Sequence, residues 1–189
     1  LFVAANHLAG RDGPRFAVVR YGNVVGSKGS VIPFFLKKRE EGELPITDPR
    51  MTRFWITLEQ GVEMVLNAFE TMVGGEVFVP KIPSMNIMDL ARAIAPDVPT
   101  RVVGIRPGEK LHECMITVDD ARHTIDMGSC YVIQPAMHWW TRRAGDAMRG
   151  GRPVAEDFVY SSDRNDQWLG VEQLRAMIAD MTAAQSAHG

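Results

Sequence analysis

The sequence predicts an α/β fold, and three observations carry that reading. Short apolar runs of strand length alternate along the chain with stretches whose apolar residues recur at helical spacing. Glycine and proline punctuate the junctions between them. No internal repeat, low-complexity tract or long linker interrupts the alternation.

The elements follow in chain order. "LFVAANHLAG" opens without methionine and reads as the end of a helix, with Leu1, Ala5 and Leu8 on one face and Gly10 at the C-cap position. A helix without a beginning predicts a chain cut from a longer one. Phe16 to Tyr21 is a mostly apolar run, as expected for a parallel strand covered on both faces. A glycine-rich loop from Gly22 to Ser30 follows, then a short helix in "VIPFFLKKREEG" ending at Gly42. "LPITDP" predicts a short strand stopped by a turn at Asp48-Pro49.

Thr57 and Gln60 form a capping-box pair that starts a long helix, along which Leu58, Val62, Val65, Phe69 and Met72 recur at helical spacing. Gly74-Gly75 ends it, and "EVFVP" is a second buried-type strand. Ser84 is expected to cap the next helix, whose stripe is Ile87, Leu90, Ala91 and Ile94. "TRVVGI" is a strand and "RPGEKLHE" a turn. Residues 117 to 170 carry few regular signals, and a last amphipathic helix is expected from about Val171 to Met181.

Bulk properties exclude several classes. A chain of 189 residues, 46% hydrophobic, suits one domain or parts of two. A net charge of -2 gives no basic surface of the kind that binds nucleic acid. No apolar run reaches the ~18 residues of a membrane span, and no signal-peptide pattern opens the chain. Cys114 and Cys130 form neither a disulfide framework nor a zinc motif. A soluble protein of a reducing compartment, the cytoplasm, is the expectation.

Candidate binding residues cluster in three places. Asn23 follows directly on the strand end, where open α/β sheets place their ligands, and its amide offers both a donor and an acceptor. Gly22, Gly26 and Gly29 let backbone come close to a ligand, yet their spacing fits neither dinucleotide nor P-loop patterns; a tight turn capped by Asn23 fits them equally. Arg50 and Arg53 in "DPRMTRFWIT" suit bidentate phosphate contact or a solvated surface. Pro107-Gly108 folds Arg106 and Glu109 toward one small region, as a cation for a diphosphate beside a carboxylate for ribose hydroxyls, or as an ordinary turn with an ion pair.

Other signals are set aside. His112-Glu113 begins a zinc-protease pattern, but Ile116 stands where the second histidine belongs. Gly26-Ser27-Lys28-Gly29 matches the short loop of an RNA-binding domain in only two fixed positions. Trp139-Trp140 with Arg142-Arg143 is expected to pack a domain edge rather than bind nucleic acid. By residues alone, the chain is an α/β domain with an asparagine and two or three arginines suited to a nucleotide-like anion, without a catalytic constellation.

Five stretches together carry a family resemblance: "RYGNVVGSKGSVIPFF", "LPITDPRMTRFWITLEQGV", "GGEVFVPKIPSM", "IRPGEKLHE" and "YSSDRNDQWL". They resemble the inverting UDP-N-acetylglucosamine 4,6-dehydratases, which are extended short-chain dehydrogenases/reductases, over Leu1 to about Met181. Retaining dehydratases and sugar epimerases come second, and a non-catalytic nucleotide-sugar module third. The resemblance implies the C-terminal part of such an enzyme. Residues 1–26 and 57–80 would be the last elements of a Rossmann sheet, and 27–56 with 81–189 a substrate-binding domain and C-terminal extension.

The resemblance also implies roles. Asn23 would contact the diphosphate-sugar, and Ser30, Val31, Ile32 and Thr47 would line the nucleotide pocket. Arg53 and Arg106 would clamp the diphosphate, and Glu109 would hold the uridine ribose. Tyr21 and the backbone near Val24 would border the nicotinamide of NADP. The family's glycine-rich loop and Tyr-x-x-x-Lys pair would lie upstream of the position matching Leu1, so this chain by itself is expected to be inactive. No metal is implied; the partners implied are a UDP-sugar and further copies of the full-length protein.

Overall fold

The computed structural model describes residues 1–9, 13–27, 30–136 and 150–187. The expectations for Gly10, Lys28, Gly29, Trp139, Trp140, Arg142 and Arg143 fall outside the described residues. The elements, in chain order, are α1 (Phe2–Ala9), β1 (Val18–Val19), β2 (Asn23–Val24), α2 (Val31–Glu40), β3 (Leu44–Ile46), β4 (Thr52–Ile56), α3 (Leu58–Thr71), β5 (Val77–Pro80) and β6 (Ser84–Asn86). Then come α4 (Ile87–Ile94), β7 (Thr100–Val102), β8 (Cys114–Ile116), α5 (Val118–Ala121), β9 (Thr124–Asp126), β10 (Cys130–Ile133), β11 (Arg152–Pro153), β12 (Tyr160–Ser161) and α6 (Val171–Ala187). The α/β class is as expected.

The chain forms two compact units. The first gathers Leu1–Tyr21, Glu59–Lys81 and Cys114–Tyr160. Its sheet runs in the order β1-β5-β10-β9-β11. β1 lies parallel to β5, and the later strands are antiparallel. α3 packs on this sheet through Met64 and Ala68, with Met72 just past its end, against Phe78 and Val132. Gly61 and Ala68 are the buried positions of the helix.

The second unit gathers Gly22–Leu58, Ile82–Glu113 and Ser161–Gly189. It holds a three-stranded sheet, β2-β4-β6, and a parallel pair, β3-β7. Ile32 and Phe35 of α2, Leu44 and Ile46 of β3, Leu90 and Ile94 of α4, and Leu174 and Ile178 of α6 close one core. Each comes from an apolar stripe or strand of the sequence, so this core follows directly from the pattern.

Three sequence expectations need correction. Residues 114–160 group with the first unit rather than with the block 81–189, because β9 and β10 extend the sheet begun by β5. The segment 117–170 is also more regular than expected: its described residues hold four strands and a helix whose capping box joins Thr117 to Asp120. Finally, Ser84 is a strand residue, paired with Phe54 and fully buried. The cap of α4 is Asn86, whose side chain accepts from the Met88 N–H at 2.7 Å. Ser84 cannot cap because its own backbone is tied to Gln167 and Leu169.

Candidate functional site

The floor of the site is one face of the β2-β4-β6 sheet. Side chains alternate along a strand, so Arg53 and Trp55 share a face of β4. Asn23 pairs with Trp55, and Met85 with Arg53. Gly22 allows the entry to β2: a Cβ there would stand 2.5 Å from the Cβ of Phe54 and 2.7 Å from its carbonyl oxygen. Gly26 then turns the chain with φ of 70°. Gly22 and Gly26 therefore serve close packing and a turn.

Above this floor lies a cavity of about 420 Å³, within the size range of small-molecule sites. Asn23, Val24, Ser30, Val31, Thr47, Arg53, Arg106 and Glu109 line it, so most of the expected substrate-side residues meet in one place. Phe34, Phe35, Pro45, Met51, Trp55, Met85 and Ile87 complete the wall. Sequence reasoning missed these apolar members, since nothing but their place in helix and strand distinguishes them from core. Ile32 is a correction: its side chain is fully buried in the core beside Phe35 and does not line the cavity. Tyr21, expected at the nicotinamide rather than here, is 43% exposed in the first unit.

Arg53 is held before any ligand arrives. Its side chain is 13% exposed, and Nη1 donates to the Thr52 and Leu111 carbonyls at 2.7 and 3.0 Å. Nη2 donates to the Lys110 carbonyl at 2.8 Å, and Nε faces the Glu113 carboxylate at 3.6 Å. Three of the five guanidinium hydrogens are thus committed to backbone. Arg53 brings a fixed charge to the cavity, with one Nη2 hydrogen left over, rather than a free two-pronged fork.

The neighbouring strand end is locked by a hydroxyl network. Thr52 Oγ1 lies 2.8 Å from His112 Nδ1 and 2.7 Å from Ser162 Oγ, and Ser162 Oγ accepts from the Glu113 N–H at 2.9 Å. Ser161 donates to Asp163 at 2.7 Å and holds that carboxyl below the usual carboxylate range. His112 and Glu113, set aside as a metal motif, thus brace the arginine segment. Ser162 had no signal in the sequence, because its partners lie 49 and 110 residues away.

The turn 106–109 forms as the sequence predicts, with Gly108 at φ of 82° and the Glu109 N–H donating to the Arg106 carbonyl at 3.0 Å. One Glu109 oxygen accepts from the Arg106 backbone N–H at 3.2 Å, and the other from the Thr47 hydroxyl at 3.5 Å. The carboxylate therefore stands ready for hydroxyl donors. Arg50 is not part of the site. It is 73% exposed and pairs with Asp48 at 2.8 Å, which lowers that carboxyl to a pKa of about 2 and raises the arginine's own.

Comparison with known proteins identifies the family. Residues 1–135 match the family model described as "Polysaccharide biosynthesis protein". The UDP-N-acetylglucosamine 4,6-dehydratase (inverting) of Campylobacter jejuni serotype O:2 is 52% identical over 184 residues, covering 94% of this chain and 55% of that protein. A UDP-glucose 4-epimerase of Rickettsia akari is 38% identical over 190 residues, again with 55% of its length covered. Among solved structures, the X-ray structure of Pen from Bacillus thuringiensis matches with a TM-score of 0.81 and 27% identity, over 96% of this chain and 55% of that one. The chain spans about half the length of the curated relatives it matches. It belongs to the polysaccharide biosynthesis protein family.

Proposed function

We propose that the complete protein is an inverting UDP-N-acetylglucosamine 4,6-dehydratase and that the cavity of the second unit is its nucleotide-sugar site. The observation that carries this reading is the convergence of Asn23, Ser30, Val31, Thr47, Arg53, Arg106 and Glu109 on one cavity. The held charge of Arg53 and the exposed charge of Arg106 suit a diphosphate, and the held carboxylate of Glu109 suits ribose hydroxyls. Asn23, exposed at the cavity wall, offers its amide to the diphosphate-sugar. The relatives at 51 and 52% identity bear this activity in their names.

NADP would supply the hydride chemistry when bound. The residues here fit only an edge of it: Val24 is in the cavity wall, and Gly22 and Gly26 do not make a dinucleotide loop. No catalytic step is assigned to a residue of this chain, and this part alone is proposed to be inactive. The product, a 4-keto-6-deoxy UDP-sugar, would serve nonulosonic acid synthesis for flagellin or surface glycans. The full-length enzyme is proposed to be a cytoplasmic homo-oligomer. An epimerase is the second reading, favoured by the Rickettsia relatives.

Calorimetric titration with UDP tests the site. The chain should bind UDP, and Arg106→Ala and Glu109→Ala should each weaken binding at least tenfold. Unchanged affinity in both variants overturns the assignment.

A further inference from the structure

Among the described residues, two buried side-chain polar atoms have no hydrogen-bond partner: Trp55 Nε1 and Ser30 Oγ. Both residues line the same cavity. Buried polar groups in folded proteins are nearly always paired, so two orphans in one wall mark a place where a partner arrives with a ligand. Trp55 is 2% exposed and stands among Phe35, Met51 and Met85, an apolar setting in which its N–H is costly to leave bare.

The type of partner follows from the donor. An indole N–H only donates, so the ligand must present an acceptor. The apolar neighbours of Trp55 offer no countercharge, whereas Arg53 and Arg106 do, so the phosphates belong with the arginines. We infer that Trp55 is a specificity-determining residue whose Nε1–H donates to an uncharged oxygen of the bound nucleotide-sugar, with Ser30 Oγ as a second polar contact in the same wall. The nitrogen is covered from bulk water, so the wall must yield by a side-chain movement of the kind common on binding. The oxygen has two possible sources, a carbonyl of the uracil ring or an oxygen of the sugar half, such as its acetamido carbonyl. This inference rests on the nucleotide-sugar reading above.

The test titrates the 189-residue chain and Trp55→Phe with UDP and with UDP-N-acetylglucosamine. The variant keeps an aromatic ring and loses only the donor. A loss of about five- to tenfold is expected, the value of one neutral hydrogen bond. Loss with both compounds places the oxygen on the uridine half; loss with UDP-N-acetylglucosamine alone places it on the sugar. Equal affinities for variant and unsubstituted chain, as when a buried water already serves the N–H, overturn the inference while leaving the nucleotide-sugar site standing. Failure of the unsubstituted chain to bind either compound overturns both. Should Trp55→Phe not fold, the Trp55 indole proton can be followed by NMR in the unsubstituted chain. A downfield shift on binding supports the donor role, and an unmoved resonance overturns it.

Discussion

Helices α4 and α3 read alike in the sequence and have opposite fates in the structure. Each has an N-terminal polar signal and an apolar stripe at helical spacing. The stripe of α4, with Ile87, Leu90, Ala91 and Ile94, is buried in the second unit's core. The stripe of α3 stays exposed: Leu58 is 62% and Phe69 74% exposed, with Val62 and Val65 also on the surface. α3 packs instead through Met64 and Ala68, roughly a hundred degrees round the helix. Periodicity thus announces a helix and an apolar face, but not which face meets a neighbour.

The largest expected effect separates the two helices by stability. Leu90→Ala should cost about 2–5 kcal/mol, the range for a fully buried leucine. Leu66→Ala on the exposed side of α3 should stay within about 0.5 kcal/mol. Urea denaturation of both variants measures the contrast; equal costs would mean that the exposed stripe is covered in solution.

A smaller effect sharpens the assignment of the α4 cap. Asn86→Ala should lose about 1 kcal/mol, because the Met88 N–H loses its acceptor. The same denaturation experiment, with Ser84→Ala alongside, asks which residue caps. Ser84→Ala loses its bond from Asn165 in any case, so it is an unchanged Asn86 variant that would overturn the assignment.

The smallest effect lies at the turn before β4. Asp48 has its folded pKa depressed from 3.8 to about 2, first by the Arg50 side-chain hydrogen bond. A depressed carboxylate contributes stability that is fully present above its unfolded pKa and fades as pH falls through the folded one. Its share should therefore vanish between about pH 4 and pH 2, and Asp48→Asn should flatten the thermal-stability profile over that window. Parallel profiles for the two proteins would show that the exposed pair contributes nothing, as many surface pairs do.

Much of the site was legible because its polar members sit on local signals. Asn23 follows a strand, Arg53 lies in a short apolar segment, and Pro107-Gly108 forces the turn that presents Arg106 and Glu109. Trp55 was not legible as a site residue, since an aromatic in a strand reads as core. The braces of Arg53 were equally hidden: the Lys110 and Leu111 carbonyls carry no side-chain signature, and Ser162 reaches Thr52 across 110 residues.

The sequence by itself determined the α/β class, the position of most helices and strands, and the turns set by glycine and proline. These depend on local torsion preferences and on periods of two and 3.6 residues, which a chain carries without reference to its neighbours. Tertiary structure alone decided that Ser84 is a strand residue, that residues 124–133 extend the first unit's sheet, and that Ile32 faces the core while Val31 faces the cavity. Each depends on which distant backbone or side chain takes up a hydrogen bond or fills a space, and that choice is made only when the whole chain packs.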